Sequence, residues 1–179
     1  MNITSKMYGS FETVKKLAAC AVLVLVCLTA QAENKAFDKL AKIKDVEFVH
    51  VDKDMVALAA KSGDGLHLGD VINLDDKDGK FINTIDDIKV FTSENKKAME
   101  QMQKAATKIL KGKDWQPLVD MKGDDGEIVK IYQAKEGEKN TNVVVAIEED
   151  NAVVVVIDGT FDIKQLMEMG NNGNNEEQN

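Results

Sequence analysis

Only two histidines occur in the chain, and they bound its acid–base and metal chemistry. His50 sits in an apolar alternation between Val49 and Val51, and His67 in a glycine-rich stretch between Leu66 and Leu68. With Asp70 or Asp75 they can be drawn as a two-histidine metal site, but the spacing follows no zinc-ligand pattern. A hydrogen-bonded or surface imidazole accounts better for both. Ser62 and Ser93 lie in neither a G-x-S-x-G elbow nor an S-x-x-K motif. A triad also needs a positioned histidine base, and Ser93 is better read as a helix cap. No catalytic, cofactor-binding or metal-binding residue is assigned.

Carboxylates offer more. Leu74-Asp75-Asp76-Lys77-Asp78-Gly79-Lys80 has the hard oxygens and turn glycine of a weak calcium loop. Against that reading, Lys77 occupies a middle ligand position. Counted from Asp75, the twelfth place holds Asp86 rather than Glu. A solvated turn is the simpler expectation. Paired carboxylates for glycoside hydrolysis lack the aromatic platforms of such clefts, because only 5% of the chain is aromatic. Met55, Met99, Met102, Met121, Met167 and Met169 have the spacing of core packing rather than of copper ligation.

The elements that would position these groups follow from periodicity. A short helix is expected from Asn34 to Lys42, with Phe37, Leu40 and Ala41 on one face. A strand follows over 46–51, with Phe48 and His50 pointing one way and Val49 and Val51 the other. Asp52 caps a helix whose stripe is Met55, Leu58 and Ala59. Residues 63–83 read as a long irregular loop with a short strand near 71–74. Ile85 to Phe91 is a strand, and Ser93 caps the longest helix, Glu94 to Lys111. Its faint likeness to the earlier strand–helix pair suggests a duplicated unit.

After Trp115 the pattern changes to strands: 118–121, the turn Gly123-Asp124-Asp125-Gly126, 128–134, a polar loop over 136–140, then 143–147 and 153–157. The last two are apolar on both faces and belong at the sheet centre. Their second cover would be the long loop or another subunit. Phe161, Asp162, Gln165 and Leu166 have staple and capping-box positions for a final helix ending at Gly170. The polar tail, 171–179, is expected to be disordered. The fold class is α+β: a mainly antiparallel sheet of about five to six strands packed by helices.

Residues 1–32 read as a signal peptide. Lys6, Lys15 and Lys16 precede an apolar run, Leu17 to Ala30, and Ala30-Gln31-Ala32 is the cleavage site. The run is short for a membrane span. Lipid anchoring is the competing reading: Leu17-Ala18-Ala19-Cys20 has the residue types of a lipoprotein box but no apolar run in front of it, and Cys27 has the run but the bulky Val26 before it, so both cysteines are read as part of the leader. The expected mature chain therefore has no thiol, no disulfide and no Cys-ligated zinc. Its charge is two units more negative than the −8 of the whole chain. All 23 basic residues are lysine. An acidic, arginine-free, aromatic-poor chain is a poor nucleic-acid binder.

Several segments carry a resemblance together: Phe37-Asp38-Lys39-Leu40-Ala41-Lys42 with the strand that follows, Asp52-Lys53-Asp54-Met55, and Ile85-Asp86-Asp87-Ile88-Lys89-Val90-Phe91. Leu118-Val119-Asp120-Met121, Ile128-Val129-Lys130-Ile131-Tyr132 and Val154-Val155-Val156-Ile157-Asp158-Gly159 complete the set. Together they resemble a secreted family of Gram-negative envelopes, domain of unknown function 4252. The resemblance implies export and one compact domain, 33–170. It implies no activity, cofactor or site residue. Many members look like lipoproteins; this chain departs from them because neither cysteine combines such a box with a proper apolar run before it.

The expected function is thus a periplasmic or extracellular binding or interaction module without catalysis. Its partner would be another envelope protein, in a signalling or stress pathway. The alternative is a weak calcium-binding module or small hydrolase using residues 63–83. Oligomeric state and partner identity are left open.

Overall fold

A computed structural model describes residues 35–62, 66–68, 72–74, 79–112, 114–123 and 126–161. The expected leader, final helix, polar tail and the acids Asp70, Asp75, Asp76, Asp78, Asp124 and Asp125 lie outside the described residues. The body that contains the sheet begins at Phe37. The fold is α+β, as the alternating patterns predict. The strands are β1 (Glu47–Asp52), β2 (Leu66–Leu68), β3 (Ile72–Leu74), β4 (Ile85–Ser93), β5 (Gln116–Lys122), β6 (Ile128–Glu136), β7 (Lys139–Ile147) and β8 (Ala152–Gly159). The helices are α1 (Lys53–Ser62) and α2 (Lys96–Leu110). Six strands form one antiparallel sheet in the order β1-β4-β8-β7-β6-β5, and β2 pairs with β3 apart from it.

The valine-rich strands β7 and β8 occupy the centre of that order, as their two-sided apolar pattern requires. On β8, Val155 and Ile157 enter one core with Val51, Ile88, Val90, Val56 of α1, Leu66, Phe81, Ile82 and Phe161. Val154 and Val156 enter the other, with Phe91, Phe37, Leu40, Trp115 and Met102, Ala106 and Leu110 of α2. We call these the first and second faces. Each strand–helix pair sends its helix to a different face. The stretch read as a long loop does supply part of the second cover, through Leu66, Phe81 and Ile82, but it contains the β2–β3 pair rather than one short strand.

Local chemistry moves several boundaries. The expected short helix is interrupted: residues 35–37 are α-helical, and after a turn at 38–39 the chain closes as a 3-10 turn, Leu40–Lys42. Asp52 does cap α1: its Oδ1 accepts from the Met55 N–H at 3.0 Å. Of the expected stripe on α1 only Ala59 packs against the core of the first face. Val56 is 1% exposed, whereas Met55 and Leu58 are 56% and 61% exposed. Asp52 ends β1 and caps α1 at once, so no linker is left to adjust the helix phase. The helix must cover the face on which Val51 lies, and that turns Val56 inward.

Ser93 does not cap α2. β4 runs on to pair Ser93 with Ala152, and the Ser93 hydroxyl donates to the Asp45 carbonyl at 2.6 Å. Asn95 is the cap, its Oδ1 accepting from the N–H groups of Lys97 and Ala98 at 3.1 and 3.2 Å. The polar stretch after β6 is likewise no loop. β6 and β7 pair out to Glu136↔Lys139, leaving Gly137 and Glu138 as a two-residue turn. Gly137 has φ +62°, the positive φ that such hairpin turns need.

Candidate functional site

Strand register brings together residues that lie far apart in the chain. Asp52 pairs with Asp87, and Asp87 with Asp158. Three carboxylates therefore stand side by side on β1, β4 and β8, one strand spacing of about 5 Å apart. His50 pairs with Lys89 in the next row of the same face, and Phe48 with Phe91 in the row after that. Sequence reasoning left Asp87, Lys89 and Asp158 without a role. The available signal was the alternation Asp87, Lys89, Phe91 on a strand whose other face is Ile88 and Val90.

Each charge in this band has a partner. His50 Nε2 donates to Asp87 Oδ1 at 2.5 Å. Asp52 is turned to its cap. Lys89 is buried and donates to Asp38 Oδ1 at 2.8 Å. The Thr141 hydroxyl donates to Asp158 Oδ1 at 2.5 Å. A bulge between Ile85 and Asp87 inserts Asp86 as an extra residue, and bulges re-aim side chains in this way. Its two oxygens accept from Lys53 at 2.6 Å and Lys139 at 3.0 Å. One carboxylate thus ties the start of α1 and the start of β7 to β4.

These contacts divide the titration behaviour of the acids. The hydrogen bond from Lys53, with that from Lys139, holds Asp86 below the usual carboxylate range despite some burial. Burial pushes Asp158 up, and the neighbouring Asp87 charge adds to it against the Thr141 bond. The folded state thus keeps the Asp158 proton at a pH where the unfolded chain has released it. Stability from this group falls as pH rises from the ordinary value of 3.8 through the raised one. Asp86 acts oppositely: its contribution is present above the ordinary value and is lost as pH falls through the lowered one. Asp158→Asn keeps an acceptor for Thr141 and removes the charge. The variant should gain stability over the parent as pH rises through that window and converge with it at lower pH. Thermal melts against pH check this, and a pH-independent difference would count against a retained proton.

The expected chemical residues are not gathered here, apart from His50. His67 lies on β2. Ser62 ends α1, with its hydroxyl donating to the Ala59 carbonyl at 2.8 Å, and Ser93 is at the far end of β4. Among the described residues no group of three or more histidine, cysteine or acidic side chains is placed to hold a metal ion. The methionines of α2 pack inward as expected, with Met102 fully buried. Met55 and Met121 are exposed instead.

Beside the band lies the open edge of the sheet. Among the described residues β1 has β4 on one side and no strand on the other. The large apolar side chains exposed among them are Phe48, Val49, Met55, Leu58 and Met121. All but Met121 come from residues 48–58, the edge strand and the helix that continues it. Phe48 is 42% exposed yet fixed. It stacks on Phe91 at 4.9 Å and lies near-parallel to His50 at 6.2 Å. The Asp87 bond holds the His50 ring in turn. An exposed aromatic that is already immobilised loses little entropy when a partner covers it. No helix among the described residues is long and apolar enough to cross a membrane.

A family model described as domain of unknown function (DUF4252) matches residues 37–169. No curated protein and no solved structure matches the chain.

Proposed function

The chain belongs to the DUF4252 family, and from that premise we propose that it is an exported envelope protein acting as a non-catalytic binding or interaction module. Export rests on the order of lysines, apolar run and A-x-A site in residues 1–32. Interaction rests on one observation: the concentration of exposed apolar side chains at Phe48, Val49, Met55 and Leu58. Phe48 and Val49 point to opposite faces of β1, so what these side chains share is the open edge of the sheet rather than one face, and exposed apolar surface concentrated at one edge marks a contact surface more often than singly scattered residues do. Phe48, immobilised by its stack on Phe91, has the character of an aromatic interface anchor. The partner is another protein of the envelope.

A photo-crosslinking residue placed at Val49, with a control at Lys104 on the outer side of α2, tests this in cells. The Val49 position should give one discrete adduct in the envelope fraction, carried by a chain that starts at Glu33. The control should give none. Adducts of equal yield at both positions, or none at Val49, would remove the interaction reading. A chain retained in the cytoplasm with Met1 intact would remove the export reading.

A further inference from the structure

The two edges of the sheet are built differently. β5 carries the devices that keep an edge from pairing. It contains Pro117, it has a bulge between Pro117 and Val119, and it ends in Lys122. Apart from the acids Glu47 and Asp52 at its two ends, β1 has none of them. Its six residues, Glu-Phe-Val-His-Val-Asp, include no proline and no lysine. Its register with β4 is unbroken from Glu47↔Thr92 to Asp52↔Asp87. Among the described residues this edge carries no further strand, which leaves the outward N–H and C=O groups of alternate residues available for one.

We infer that β1 accepts an extended segment of another polypeptide as a seventh strand, and that this segment is basic at its ends and apolar between them. The inference rests on the interaction reading above and specifies its partner. Glu47 and Asp52 lie at the two ends of the strand, and Phe48 and Val49 are exposed between them. Opposite charges directly across a strand pair are favourable, and like charges are not. The same rule disfavours a second copy of this chain. Antiparallel pairing of all six residues would set Glu47 against Asp52 at both ends. Parallel pairing would set each acid beside its own kind. Backbone hydrogen bonds would supply the affinity and the flanking charges the selectivity, as in other strand-addition complexes.

The test uses the full mature chain and the synthetic peptide Lys-Val-Thr-Phe-Val-Lys, with a second peptide carrying Glu at both ends. Titration calorimetry reads affinity, and hydrogen exchange reads the backbone of residues 47–52. The lysine peptide should bind about tenfold more tightly than the glutamate peptide, given two cross-strand charge pairs reversed in sign. It should slow exchange at residues 47–52 and nowhere on β5. Glu47→Lys should narrow or invert the preference between the peptides. Equal affinity for both peptides, absence of binding, or binding without slowed exchange at 47–52 would overturn the proposal. A free chain that is already dimeric, with those amides protected, would assign the edge to a second copy instead. If the Val49 adduct forms in cells while the outward amides of residues 47–52 gain no protection, the interaction reading stands and strand addition fails.

Discussion

Gly159→Ala is expected to cost about 3 kcal/mol or more, at the upper end of the range for overpacked sites. Gly159 ends β8, where it pairs with Ile85 on one side and Asn140 on the other. A Cβ built there would overlap the Thr84 carbonyl oxygen. It would also lie 2.9 Å from Phe161 Cδ1 and 3.1 Å from Ile85 Cα. Two of those three obstacles are backbone and cannot rotate away. The Thr84 carbonyl is also occupied, since it accepts from the Thr160 N–H at 2.8 Å. Relief therefore requires β8 to part from the start of β4, beside the bulge that inserts Asp86. Gly137→Ala is the fitting comparison. Nothing lies within 4 Å of its added Cβ, and only the positive φ resists it, for about 1 kcal/mol. Urea unfolding of the two variants checks the ranking. A Gly159→Ala variant no less stable than Gly137→Ala would show that this strand end yields easily.

Legibility followed sequence distance. The valine runs of β7 and β8 announce a two-sided burial that is local to each strand, and the structure places both at the centre. The turn glycines bracket β5 and β6 for the same reason: Gly126 takes φ +83° and its N–H reaches the Gly123 carbonyl at 3.2 Å. Errors arose where a neighbour in space decided the outcome. β4 extends past Phe91 because Ala152 and Val153 are there to pair with it, and the extension passes the capping role from Ser93 to Asn95. α1 rotates Met55 outward because Asp52 belongs to a strand whose face is already chosen. The carboxylate row is the extreme case. Asp52, Asp87 and Asp158 come from three separate strands, and only their register makes them neighbours. Nothing local to Asp158 foretells its raised carboxyl, since burial under the sheet's own cover and the charge of Asp87 cause it.

Phe91→Ala should lose about 3–5 kcal/mol, the range for a fully buried aromatic truncated in a core. Phe91 has no exposed surface and packs in the core built by Phe37, Leu40, Met102 and Val154. A purely destabilised variant would say little about function, so Phe91→Leu is the informative companion. Leucine retains most of the apolar volume and should leave a folded protein, weaker by about 1–2 kcal/mol, below the full-truncation cost. It removes, however, the flat ring on which Phe48 stacks at 4.9 Å. Phe48 would then sample several rotamers at the open edge, and any partner would have to order it on binding, at about 0.5–1.5 kcal/mol for one side chain. Binding of the lysine peptide to folded Phe91→Leu should therefore weaken several-fold, although Phe91 itself is out of a partner's reach. Val154→Ala, in the same core and opposite Phe91 on the other strand, should destabilise the fold without that loss of affinity, because the Phe48–Phe91 stack survives. Equal affinities for the two variants would mean that Phe48 is not an anchor, and that backbone pairing and charge at the edge account for recognition.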